Sequence, residues 1–180
     1  IESLSTNGVA PIIKHIPGHV RAKIDSHLDL PIIETSLSEL DEIDFYPFKK
    51  NNNVYLAMTA HIIYKDIDND QPGTLSKKVI NDIIRKKIGF NGLIITDDIS
   101  MKAIKISVED AAVKSLNAGC DLVLHCNGDM KEMVSIANSI NNESNFIGIP
   151  DNLIEIFRIK CTVQLNELKE ELKKTLEVLD

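Results

Sequence analysis

A chain of 180 residues falls in the single-domain range and can bury a sizeable core. Its 43% hydrophobic and 26% charged residues are ordinary for a soluble globular protein. The net charge of −7, with no basic stripe carrying interleaved aromatics, argues against a nucleic-acid partner. No apolar run approaches the length that would cross a bilayer, so no membrane partner is expected. Cys120, Cys126 and Cys161 are odd in number and lack metal-type spacing; they read as reduced thiols buried like small apolar residues, which fits a cytoplasmic protein. The chain opens Ile1-Glu2-Ser3, with neither Met nor a signal-peptide pattern, so it reads as a piece of something longer.

Four short apolar runs alternate with amphipathic stretches. Val9-Ala10-Pro11-Ile12-Ile13 predicts a strand that ends in a loop holding Lys14, His15, Gly18 and His19. Val54 to Met58 predicts the next, ending at Thr59-Ala60-His61. Ser76 then caps a helix whose stripe is Val79, Ile80, Ile83, Ile84 and Ile88, with Gly89 beyond its end. Gly92 to Ile95 predicts a third strand, ending at Thr96-Asp97-Asp98. Ser107 and Asp110 have capping-box spacing ahead of Ala111, Ala112 and Leu116, and Gly119 follows. Asp121 to Leu124 predicts a fourth strand, ending at His125-Cys126-Asn127. Met130, Met133, Val134 and Ala137 suggest a further helix, and Leu165 to Leu179 a last one.

Continuous apolar strands between helices are the signature of an α/β fold with parallel strands buried on both faces. Polar and ionisable residues collect after all four runs, where (β/α) barrels and open α/β sheets keep their active sites. Four strands make half of an eight-stranded barrel, which typically takes about 250 residues.

Three clusters carry chemistry. The first is Lys14-His15-Ile16-Pro17-Gly18-His19, followed by Asp25-Ser26-His27 and Leu30-Pro31. The second is Met58-Thr59-Ala60-His61-Ile62-Ile63-Tyr64, followed by Thr74-Leu75-Ser76. The third runs from Gly89-Phe90-Asn91-Gly92 to Thr96-Asp97-Asp98-Ile99-Ser100-Met101. His15 and His19 would share a face only on a helix, and Pro17 and Gly18 between them argue for a loop, so no metal site is expected.

In order and spacing, these segments resemble the bacterial β-N-acetylglucosaminidases (β-hexosaminidases) of glycoside hydrolase family 3. That pattern reads K-H-F-P-G-H-G, D-S-H, M-P-A-H-x-x-Y and G-F-x-G-x-x-x-S-D-D-L-S-M, and the resemblance runs from about Gly8 to about Asn127. It implies the C-terminal half of a TIM-like (β/α)8 barrel, strands 5–8, with C-terminal helices from about residue 150. It also implies retaining hydrolysis of terminal β-linked N-acetylglucosamine, without a cofactor, typically from muropeptides during peptidoglycan recycling. By the same resemblance Asp97 is the nucleophile, His27 the general acid/base, Asp25 the residue that orients His27, and Lys14 and His15 the sugar ligands. Asp98 reads as a structural or cap residue. Packing or supporting roles for His19 and His61 stand level with direct contact, and His125 and Cys126 read as core or rim residues.

The assigned types suit the reaction. Retention needs a nucleophile on one side of the anomeric carbon and a proton donor on the other. A histidine with a free pKa near 6.5 can give and then take that proton around neutrality, and a nearby carboxylate can steady its charged form. Lys14 offers three donors to sugar hydroxyls and His15 a directional one.

The sequence departs from the pattern at two places. Val20 stands where the pattern has Gly, a change that matters if the position needs positive φ. Thr59 stands where it has Pro. The first barrel half, with an Asp and Arg residues that grip the sugar, is also missing. The expectation is therefore either an enzyme completed by a separate N-terminal half, or a non-catalytic remnant or half-barrel association module. A β-glucosidase of the same broad family is disfavoured by the D-S-H loop.

Overall fold

The computed structural model describes residues 1–6, 9–22, 24, 26, 28–143 and 173. Asp25, His27, Cys161 and the leucine-rich stretch expected to form the last helix lie outside the described residues, Lys173 excepted. The chain forms two compact units, Ile1–Pro11 with Pro150–Asp180, and Ile12–Ile149. In the first, the described residues include a short helix, Glu2–Thr6. Ser5 N–H donates to the Ile1 carbonyl and Val9 N–H to that of Leu4.

The second unit is α/β, built on parallel strands as the arc of a TIM-like barrel. Its sheet has the order β1 (Ile12–Ile16), β3 (Leu56–Thr59), β5 (Leu93–Asp98), β6 (Leu122–Leu124). All three pairings are parallel: Ile12 faces Leu56, Ala57 faces Ile94, and Ile95 faces Leu122. The inner strands β3 and β5 are the buried ones, whereas β1 and β6 are half-exposed. Burial on both faces therefore holds for the inner pair and fails for the outer pair.

The first strand needs correction. It covers Ile12–Ile16 and leaves Val9 to Pro11 outside, so Lys14 and His15 stand on the strand rather than in the loop after it. The cause is pairing: Ile12, Ile13 and Lys14 align with Leu56, Ala57 and Met58, and the register slips between Lys14 and Ile16. Such an irregularity leaves His15 outside the regular ladder and re-aims its side chain. A second small sheet, unforeseen from the sequence, pairs β2 (Ile32–Ile33) with β4 (Ile63–Tyr64), again in parallel. Ile63 N–H donates to the Pro31 carbonyl and Lys65 N–H to that of Ile33.

The helix Lys78–Lys87 buries the expected stripe of Val79, Ile80, Ile83, Ile84 and the following Ile88. It winds wide at its end, where Ile88 N–H reaches back to the Ile83 carbonyl. At its start Ser76 Oγ accepts the Val79 N–H at 3.1 Å. This stripe packs with Ala57, Ile94, Phe90, Phe45, Leu40 and Tyr64 in the main core. The helix Val108–Ala118 is capped as expected, Ser107 accepting the Asp110 N–H. It closes on Gly119 at φ 115°, a conformation side chains resist. A second cluster joins Ala111 and Ala112 to Ile99, Ile104 and Ile136. The helix Met130–Glu143 is also present, but Met130, Met133 and Val134 are exposed while Ile136 is buried. Its inward face is thus turned from the stripe the spacing suggested.

β5 is pinned at its start. Arg85 donates to the carbonyls of Phe90 (3.1 Å) and Gly92 (2.6 Å) and to Asp121 Oδ2 (2.6 Å). The same Asp121 oxygen accepts the Ile94 N–H at 2.7 Å. Gly92 leaves no room for a side chain: a Cβ there would lie 2.4 Å from the Tyr55 carbonyl oxygen.

Candidate active site

The polar residues gather at the C-terminal ends of the strands, as in barrel enzymes. Asp97, on the last turn of pleat of β5, is largely buried, and its carboxylate Oδ2 lies 3.6 Å from His15 Nε2 of β1. Its Oδ1 accepts the Asp98 N–H at 2.9 Å. His15 is half-buried; burial pushes its pKa below the usual 6.5, outweighing the pull of Asp97, and His19, Lys14 and His61 add to the lowering. The His15 and His19 rings are tilted at 5.3 Å between centroids. Lys14 is exposed on the same strand. The structure therefore brings together Asp97 and His15, with Lys14 adjacent in sequence, while Asp25 and His27 lie outside the described residues.

A cleft of about 700 Å³ opens beside β1, with Lys14, His15, His19, Arg21, Asp44 and Phe48 among its lining residues. That is within the range of small-molecule sites. Arg21 is held there by Asp44 (2.7 Å) and Glu39 (2.8 Å). Val20 is 95% exposed, and no non-glycine residue among those described has positive φ. The valine thus sits without the backbone strain that a lost glycine threatened.

The second carboxylate is structural, as expected. Asp98 accepts the Ser100 N–H, the Ser100 hydroxyl and the Cys126 N–H at 3.0, 2.7 and 3.1 Å. Ser100 and Cys126 belong to the loops after β5 and β6, so Asp98 ties those loops together. His61 is fully buried: its ring nitrogens lie 2.7 Å from Thr74 Oγ1 and 3.0 Å from the Asp98 carbonyl oxygen. It supports the site from within. Tyr64, also fully buried, donates its hydroxyl to the Gly18 carbonyl at 2.7 Å, which explains the tyrosine of the third motif position after His61. His125 pairs with Glu132 at 2.7 Å. Cys120 is buried as expected, which pushes its thiol pKa up, but Cys126 is exposed at the rim. Among the described residues no group of three or more His, Cys, Asp or Glu is placed to hold a metal ion.

The sequence reading missed the threonines. Thr59 stood out only as a missing proline, yet its hydroxyl is buried at the centre of the site and accepts the Asp97 N–H at 3.3 Å. Thr96, buried on β5, accepts the Leu124 N–H at 2.8 Å. Threonine at a strand end is too common to signal this by itself.

A carboxylate and a histidine thus face one another at the C-terminal edge of a parallel α/β sheet, and comparison with known proteins gives the class of protein to which such a site belongs. Residues 1–156 match the model of the glycosyl hydrolase family 3 N-terminal domain. The chain belongs to glycosyl hydrolase family 3. A β-hexosaminidase of Methylobacillus flagellatus is 34% identical over 142 residues, covering 77% of this chain and 40% of that protein. Among solved structures, a glycoside hydrolase family 3 β-N-acetylglucosaminidase from Paenibacillus superposes with a TM-score of 0.75 at 28% identity, over 88% of this chain and 31% of that one. NagZ from Neisseria gonorrhoeae, solved with N-trifluoroacetyl-D-glucosamine, gives 0.72 at 27% identity, over 95% and 48%. The chain spans less than half the length of each of these three proteins.

Proposed function

We propose that this chain carries the nucleophile side of a retaining glycoside hydrolase that removes terminal, non-reducing β-linked N-acetylglucosamine. The observation that carries the reading is Asp97, largely buried at the C-terminal end of β5 with its carboxylate 3.6 Å from His15. In the first step Asp97 attacks the anomeric carbon and forms a glycosyl ester, while His27 gives its proton to the departing oxygen. In the second, His27 takes a proton from water, which attacks the same carbon and releases Asp97. Asp25 orients His27, and Lys14 and His15 hold the sugar. His15, held neutral by burial, can both donate and accept toward hydroxyls. The names of the related proteins support the choice of sugar. We place the substrate among muropeptides of peptidoglycan turnover in the cytoplasm.

The test is release of p-nitrophenol from its N-acetyl-β-glucosaminide by the full chain, with the glucoside as control. Turnover of the N-acetylglucosaminide that disappears in Asp97→Ala supports the reading, and turnover that survives the substitution overturns it.

A second reading has its own observation. Leu122, Leu124, Met133 and Ala137 line an apolar groove of about 410 Å³ on the half-exposed side of β6, and Met130 and Val134 are exposed beside it. A half-barrel that acts only with a separate N-terminal half would present such a face. Under that reading the chain alone melts cooperatively without turnover, and co-expression with the first half of a family relative restores it.

A further inference from the structure

The backbone that carries Asp97 is not held by the main chain of β3. The β3–β5 ladder ends with Met58 opposite Ile95, and the Asp97 N–H donates to the Thr59 hydroxyl at 3.3 Å instead. Thr59 Oγ1 lies 2.8 Å from Thr74 Oγ1, and Thr74 Oγ1 lies 2.7 Å from His61 Nδ1. His61 Nε2 in turn lies 3.0 Å from the Asp98 carbonyl oxygen. Thr59, Thr74 and His61 are each fully buried. A ring of hydrogen bonds thus leaves the backbone at residue 97 and returns to it at residue 98.

The direction of each bond follows from proton counting. A carbonyl only accepts, so His61 Nε2 carries a proton. Burial lowers the His61 pKa below 6.5, which keeps the ring neutral and leaves Nδ1 a bare acceptor. Thr74 therefore donates to Nδ1 and accepts from Thr59, and Thr59 accepts from Asp97. The other acceptor within reach of the Thr74 proton, the Ala60 carbonyl, is farther away at 3.2 Å, and serving it would set two lone pairs against each other at His61. Each hydroxyl proton is used once and no buried donor is left over.

We propose that Thr59 is a positioning residue for Asp97: its hydroxyl fixes the amide of the nucleophile, and Thr74 and His61 hold that hydroxyl in its single productive orientation. The proposal rests on Asp97 being the nucleophile. A proline at this position, as in the M-P-A-H motif, has no hydroxyl and would not make this contact.

The test compares Thr59→Val, which keeps the shape and removes the hydroxyl, with Thr59→Ser, which keeps the hydroxyl. Three readouts on the full chain are amide exchange at Asp97, the nitrogen shifts of the His61 ring, and steady-state turnover. In Thr59→Val we expect Asp97 exchange to speed up roughly tenfold or more and kcat to fall about tenfold with KM within about twofold. The His61 ring stays in the Nε2–H form, and Thr59→Ser restores both rates. Wild-type exchange at Asp97 in Thr59→Val, or no rescue by serine, overturns the proposal. If the wild-type chain turns over no sugar, the functional reading fails by itself, and exchange at Asp97 still decides whether Thr59 holds this amide. Should the valine variant fail to fold, Thr59→Ala against Thr59→Ser gives the same comparison.

Discussion

The two ends of β5 are built from different materials. At its start the strand is gripped by Arg85 and Asp121, and Gly92 just before it is crowded by the Val54 and Tyr55 carbonyls that lead into β3. At its finish the grip passes to hydroxyls, with Thr59 on one side taking the Asp97 N–H and Thr96 on the other taking the Leu124 N–H. Charge and close packing tolerate little displacement and serve the fold. Neutral hydroxyls at the other end hold the backbone amides, beside the Asp98 carboxylate that ties the loops following β5 and β6. The expectation is that substitutions at the start cost stability, and that at the finish those touching Asp97 cost chemistry while Thr96, which holds the Leu124 N–H, costs a little stability.

The sharpest break in that comparison is Asp97→Asn. It should lower N-acetylglucosaminide turnover on the order of a thousandfold or more, with a melting temperature close to wild type, read by a chromogenic assay beside a thermal melt. Gly92→Ala should do the reverse. With a Cβ 2.4 Å from the Tyr55 carbonyl oxygen and 2.7 Å from that of Val54, the strands must part. A loss of about 2–4 kcal/mol in urea unfolding is expected, and a loss under half that would show the sheet to be more yielding than drawn.

Arg85→Met should cost about 1.5–3 kcal/mol by the same measurement, because the Phe90 and Gly92 carbonyls and Asp121 lose a shared charged donor. Thr96→Val should cost about 1 kcal/mol by stranding the Leu124 N–H, and Thr96→Ser should recover most of it. The smallest effect is on pH dependence. His61 and His15 have pKa values lowered in the folded chain, so the unfolded chain binds protons more readily between the folded value and 6.5. The stability they contribute is complete above about pH 6.5 and is lost as pH falls through the lowered values. Melting temperatures from pH 7.5 downward should show that decline, and His61→Gln should flatten it.

Much of this was legible in the sequence because it is carried by repetition and spacing. The stripe from Val79 to Ile88, the Ser107 cap and the Gly119 stop are periodic or local, and they appear in the structure where the pattern set them. The gathering of Asp97 and His15 followed from polar residues trailing apolar runs. What escaped depends on register. Lys14 and His15 moved onto β1 because pairing with β3 starts at Ile12, a fact of the partner strand rather than of the segment. The outward turn of Met130, Met133 and Val134 depends on where Ile136 finds its cluster, which period alone does not decide. Thr59 and Thr74 are fifteen residues apart and meet only through the fold.

The small sheet of β2 and β4 has a consequence for engineering. Ile16 is fixed beside Thr59 in the main sheet and Ile32 is fixed beside Ile63 in the small one, so the stretch between them starts and ends at anchored points. Extra residues spliced between two such anchors are absorbed as loop, and each doubling of length costs only about 0.6 kcal/mol in closure entropy. Added length is therefore best placed at residues 28–30, past the Asp25 and His27 given roles in catalysis, where it leaves the registers of β3 and β5 as they are.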